Sequence, residues 1–136
     1  MEKSILYEKS LVKLILLSIV TLGIYGLWFL YAYIRDINIL CEGDGKDSMH
    51  FILVCLLSSI TFGIYSAFWM YIQGDRLYNN AERYGLKFNE SGTTIVLWYL
   101  AGSFIIVGPF FAWYFMINNQ NEMIKVYNQN VNNYTN

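Results

Sequence analysis

Three long stretches of the chain carry no charge. They are residues 14–34, 51–72 and 95–117, of 21, 22 and 23 residues. Each is apolar nearly all round, with no polar stripe of the kind a soluble amphipathic helix shows. A helix that spans the hydrocarbon core needs about 20 residues. The pattern therefore predicts an all-α, polytopic integral membrane protein with three apolar helical segments. Polar connectors separate them. Residues 42–47 (Glu-Gly-Asp-Gly-Lys-Asp) read as a turn-rich loop. In residues 75–88, Leu77, Ala81, Tyr84 and Phe88 fall at helical spacing, which fits an interfacial helix or an extension of the second segment. The Asn-rich tail 128–136 reads as disordered.

The first two segments are copies. Residues 16–31 and 56–71 align without a gap at an offset of 40, with eight identities in sixteen positions. The shared residues include Ser18/Ser58, Thr21/Thr61, Gly23/Gly63, Ile24/Ile64, Tyr25/Tyr65 and Tyr31/Tyr71. A degenerate third copy lies at an offset of 85, where Ser103, Gly108 and Trp113 match Ser18, Gly23 and Trp28. The chain is thus one membrane domain, 1–136. Repeat 1 covers about 11–41, repeat 2 about 49–88 and the degenerate repeat 3 about 95–127.

Glycine at the centre of an apolar segment permits close helix contact, a kink or a reversal. Two arrangements follow: a single crossing per segment, straight or kinked, or a re-entrant hairpin that turns at Gly-Ile-Tyr. Length favours crossing. Three crossings would put six basic residues on the N-terminal side and three on the other, and so the N-terminus in the cytoplasm. The similar polar tails after each segment favour hairpins, which would gather all three at one end.

Composition agrees with a bilayer setting. Hydrophobic residues are 56% of the chain and charged residues 14%, against about 25% charged in a soluble domain. A net charge of −1 gives no footprint for nucleic acid. The N-terminus lacks the pattern of a cleaved leader, so the first segment is expected to be retained. Cys41 and Cys55 are expected as free thiols.

The paired Thr-x-Gly-Ile-Tyr cores, Thr21 to Tyr25 and Thr61 to Tyr65, resemble the bacterial membrane-protein family catalogued as domain of unknown function 4234. The aromatic continuations Gly26-Leu27-Trp28 and Ala67-Phe68-Trp69 fit it as well, and Ser66 departs from its second glycine. The resemblance implies a bacterial cytoplasmic-membrane location and lends no activity.

Catalytic parts are scarce. The chain has one histidine, His50, and no Walker loop, nucleophile elbow or paired-cysteine motif. The loop 42–47 does not match a calcium loop. No metal or cofactor is expected, and the chain is not expected to be an enzyme. Intramembrane ionisable residues, the usual mark of coupled transport, are missing from the three segments. The residues singled out for helix packing, or for lining a pore, are Ser18, Thr21, Gly23, Tyr25, Ser58, Thr61, Gly63, Tyr65, Ser103 and Gly108. The expected role is a structural or interaction module in the lipid bilayer, self-associating as a homo-oligomer or packed on another membrane protein. The alternative is a passive oligomeric channel or small-molecule conduit.

Overall fold

Leu22 and Phe62 break the first two apolar segments. Both take left-handed backbone angles (φ 56° and 54°), and the glycines that follow them do the same (φ 92° and 90°). Two successive left-handed residues end a helix. In a computed structural model, which describes residues 5–102 and 108–135, each of these segments is accordingly two helices. The first gives α1 (Leu11–Val20) and α2 (Ile24–Leu40); the second gives α3 (Phe51–Ile60) and α4 (Ile64–Asn80). A 3-10 turn, Ala81–Tyr84, follows, then α5 (Gly92–Ala101) and α6 (Gly108–Thr135). The described residues contain helices and turns and no strand.

The first two segments, expected as one helix each, are thus divided. No helix among the described residues is long and apolar enough to cross a membrane. The sequence length was right for a crossing, but the turns at Leu22-Gly23 and Phe62-Gly63 divide it. The Asn-rich tail also differs from expectation, because α6 continues through it to Thr135.

Each short helix runs antiparallel to the long helix after it. Lys9, just before α1, meets Asp36 near the end of α2, while Ser18 lies beside Gly26 at the other end. Ser48, just before α3, meets Gln73 and Arg76 of α4. In the third pair Trp98 of α5 stacks on Phe111 of α6, and Asn119 donates to the Glu90 carbonyl. Gly102 and Gly108 bring these two helices so close that a Cβ on either would overlap the other's backbone. Tyr99 lies beside Gly63 while Gly92 lies against Tyr71 and Asp75, so α5 is antiparallel to α4 as well.

The long helices α2, α4 and α6 therefore run in one direction. Their contacts form the core. Phe29 and Tyr33 of α2, Trp69 of α4 and Trp113 of α6 make ring contacts with centroids 5.7 to 6.2 Å apart. Met70, Leu77, Met116, Met123 and Ile124 complete it, all fully buried. The unbranched methionines fill the irregular gaps that large rings leave. Leu77, Ala81 and Phe88 are buried too, so residues 75–88 extend the second repeat rather than lying free at an interface.

The segment before α1 is pinned to α6 by two asparagines. Asn121 accepts from the Lys9 N–H at 2.8 Å and donates to its carbonyl at 2.6 Å. Asn128 treats Leu6 the same way, at 3.0 and 2.8 Å.

Candidate functional site

The turns of the first two hairpins are each built by one threonine. Thr21 Oγ1 donates to the Leu17 carbonyl at 2.6 Å and accepts from the Tyr25 N–H at 2.9 Å. Thr61 does the same with Leu57 and Tyr65, at 2.8 and 3.0 Å. The backbone completes the turn. Leu22 N–H donates to Ile19, Gly23 N–H to Ser18 and Ile24 N–H to Thr21; Phe62, Gly63 and Ile64 repeat the pattern with Ser59, Ser58 and Thr61. Every N–H from Thr21 to Tyr25, and from Thr61 to Tyr65, thus has an acceptor.

The turns carry bulky apolar side chains into the open. Leu22 is 93% exposed and Phe62 97% exposed. Val20, Ile24, Ile60 and Ile64 around them are also largely exposed. A bulky residue in the left-handed region costs roughly 1–2 kcal/mol, where glycine would cost little. The fold accepts that strain twice, at equivalent positions.

The opposite end is polar. Asp36 and Arg76 occupy the same place in α2 and α4, 40 residues apart at the repeat offset, and both are buried, as is Gln120 of α6. Each is held by a neighbouring segment. Asp36 pairs with Lys9 at 2.5 Å and with Arg35 at 3.0 Å. Arg76 Nε donates to Asp44 at 2.8 Å, and the rest of its guanidinium donates to Asn38, Ser48, Asp44 and the Lys46 carbonyl. Gln120 donates to the Tyr33 carbonyl at 3.0 Å. Arg76 therefore fastens the loop 42–47 over the end of the bundle. Burial alone would push the Asp44 carboxyl up; the Arg76, Lys46 and Asn80 donors outweigh it and hold the group below its ordinary value. Burial pulls the Lys9 ammonium down, and Asp36 draws it only partly back.

The sequence-selected residues separate into two groups. Thr21, Gly23, Thr61 and Gly63 build the turns, and their hydroxyls and left-handed angles are used there. Tyr25 stacks on Trp28, and Tyr65 on Phe68, with its hydroxyl donating to Met49 Sδ. Ser18 and Ser58 lie between the hairpin arms with buried oxygens that have no hydrogen-bond partner. Gly108 packs on Gly102. Ser103 lies outside the described residues. His50 caps α3, its ring accepting from the Ile52 N–H at 3.3 Å. No group of three or more His, Cys, Asp or Glu among the described residues could hold a metal ion. Sequence reading missed Asp36, Arg76 and the two asparagines. Asp36 and Arg76 stand 40 apart, at the repeat offset, and Asn121 and Asn128 stand seven apart on one helix face.

Fold and site define an all-α chain of repeated helix pairs, with one apolar end made of turns and one polar end made of buried charge. It belongs to the family described as Domain of unknown function (DUF4234), whose model matches residues 9–79. The matched stretch holds both glycine turns, Asp36 and Arg76, and it stops before α5. No curated protein and no solved structure matches the chain.

Proposed function

We propose that this protein is a small structural and interaction module embedded in one leaflet of a membrane, with its apolar end in the acyl chains and its polar end at the headgroups. The observation that supports this reading is the pair of exposed, left-handed residues Leu22 and Phe62 at equivalent turns. A strained bulky residue in water would gain nothing from its exposure. In lipid, each such side chain contributes roughly 1.5–3 kcal/mol by leaving water. The self-satisfied turn amides meet the other demand of a hydrocarbon setting.

Depth fits one leaflet. From Ile24 to the last uncharged residue before Arg35 is 11 residues, or roughly 16 Å of helix. The hydrocarbon core is about 30 Å thick. Gathering the basic residues at one end favours the cytoplasmic face of a bacterial cytoplasmic membrane as the setting. Within the membrane the module packs on a second copy or on another membrane protein. The conduit reading draws no support from the turns, because Thr21 and Thr61 spend their hydroxyls on their own backbone.

The test is sidedness. Single cysteines at Lys46, Lys87 and Tyr134, on a background with Cys41→Ala and Cys55→Ala, are probed with an impermeant maleimide on sealed vesicles. All three should react from the same side. Labelling of Lys87 from one side, with Lys46 and Tyr134 from the other, is the pattern of three crossings and would sink the proposal.

A further inference from the structure

A cavity lies on the flank of the first hairpin, between the leading segment, α1 and α2. It holds about 580 Å³, within the usual roughly 300–1,000 Å³ of ligand sites. Its lining changes character along its length. Toward the tip it is Tyr25, Trp28, Phe29 and Ala32; toward the polar end it includes Lys13 and Arg35. Lys13 is the last residue before the first uncharged segment, and Arg35 the first after it. The antiparallel arms bring both to one mouth, at the level where apolar gives way to polar.

The charge around that mouth is positive. The charged residues lining the cavity are Glu8, Lys9, Lys13, Arg35 and Asp36. Asp36 is already bound by Lys9 and Arg35, and Glu8 lies 3.7 Å from Lys125. Lys13 and Arg35 are exposed, so each can turn toward a ligand. Arg35 gives Asp36 only part of its guanidinium, which leaves donors to spare.

We infer that this cavity binds one phospholipid with an anionic headgroup, its phosphate between Lys13 and Arg35 and an acyl chain along Trp28 and Tyr25. The inference rests on the leaflet-embedded reading, which sets the mouth at headgroup depth. A ligand that satisfies both halves of the lining must join a negative group to a long apolar one, and the bilayer supplies that chemistry. The second hairpin lacks this pair of cations. At the repeat offset Lys13 becomes Leu53 and Arg35 becomes Asp75, whose carboxylate accepts from the Gly92 N–H at 2.7 Å. One site per chain follows.

Native mass spectrometry of the full chain in detergent tests this with dioleoyl-phosphatidylglycerol, dioleoyl-phosphatidylcholine and soluble glycerol phosphate. We expect a single phosphatidylglycerol adduct, favoured about tenfold over phosphatidylcholine by two cations at the headgroup. Lys13→Gln with Arg35→Gln should remove that preference, and Trp28→Ala should weaken both lipids. These residues are exposed, so circular dichroism should be unchanged. Equal retention of the two lipids, or preference surviving in the double variant, overturns the site. Displacement by glycerol phosphate overturns the lipid assignment in favour of a free phosphate. Flotation on pure phosphatidylcholine vesicles separates the two readings. A chain that floats without a selective adduct loses this site alone; a chain that does not float loses the embedded reading and this one with it.

Discussion

Asp36 and Arg76 occupy the same position in successive hairpins and carry opposite charge. Both are buried, at 1% and 2% exposure, and each takes its counter-charge from the segment that precedes its own hairpin, Lys9 in one case and Asp44 in the other. The position is therefore fixed by architecture and not by the sign of the charge: wherever a leading segment crosses a long helix, a buried polar contact ties the two. Removing one partner of a buried pair leaves an uncompensated charge, at a cost of about 3–5 kcal/mol. Arg76→Met should lose stability in that range in detergent unfolding, and adding Asp44→Leu should recover part of it. Additive losses in the double variant would show that the pair is not coupled.

The turn residues set stability against membrane binding. Leu22→Gly and Phe62→Gly relieve left-handed strain, so each should stabilise the detergent-solubilised fold by up to about 1 kcal/mol. Each should also weaken flotation on vesicles, because the inserted side chain is gone. Gly23→Ala has the opposite sign. Its φ of 92° is unfavourable for alanine, and about 1–2 kcal/mol should be lost. Flotation unaffected by both tip substitutions together would count against insertion through these turns.

Thr21 and Thr61 should tolerate serine and not valine. Serine keeps the hydroxyl that bridges the i−4 carbonyl and the Tyr amide; valine keeps the shape and strands that amide. The expected loss for Thr→Val is about 1–3 kcal/mol per site, with Thr→Ser near wild type. Thermal melts of the four variants check this, and equal melting of the Val and Ser forms would refute it.

The sequence declared the repeat but not its geometry. Thr-x-Gly-Ile-Tyr appears twice in register, yet the residue that reverses the chain is Leu in one copy and Phe in the other. The usual signal, glycine at the first left-handed position, is displaced by one residue. With no polar residue marking a loop there, segment length pointed to a crossing. The polar end was hidden for a different reason: Asp36 and Arg76 look unrelated by residue type, and only position links them. Asn121 falls in the degenerate third repeat and Asn128 opens the stretch read as a disordered tail, yet their spacing places both on one helix face. The similar polar tails did carry the answer, since a hairpin at each turn is what puts them at one end.

Acid should weaken the polar end through Asp44. Its folded pKa lies below the ordinary 3.8, so the folded state favours the carboxylate. The resulting stability is present in full above the unfolded value and is lost as pH falls through the lower folded one. The stability gap between wild type and Asp44→Asn should be flat above about pH 5 and close below about pH 4. A gap that widens on acidification would contradict the sign.

Cys41 reports whether that end is closed. The residue is fully buried, with Sγ 3.9 Å from the Arg76 carbonyl. Burial pushes its thiol up to about 12, with Arg76 and Arg83 pulling the other way. At neutral pH almost no thiolate exists, and the thiolate is the reactive form. In a Cys55→Ala background, maleimide should leave native Cys41 nearly unmodified and react fully after denaturation. Labelling in the native state then requires local opening, and its rate follows the open population. Because Arg76 fastens the loop 42–47 beside Cys41, Arg76→Met should speed labelling sharply, whereas Leu22→Gly at the far end should not. Similar acceleration by both would mean that Cys41 opens only when the whole bundle does.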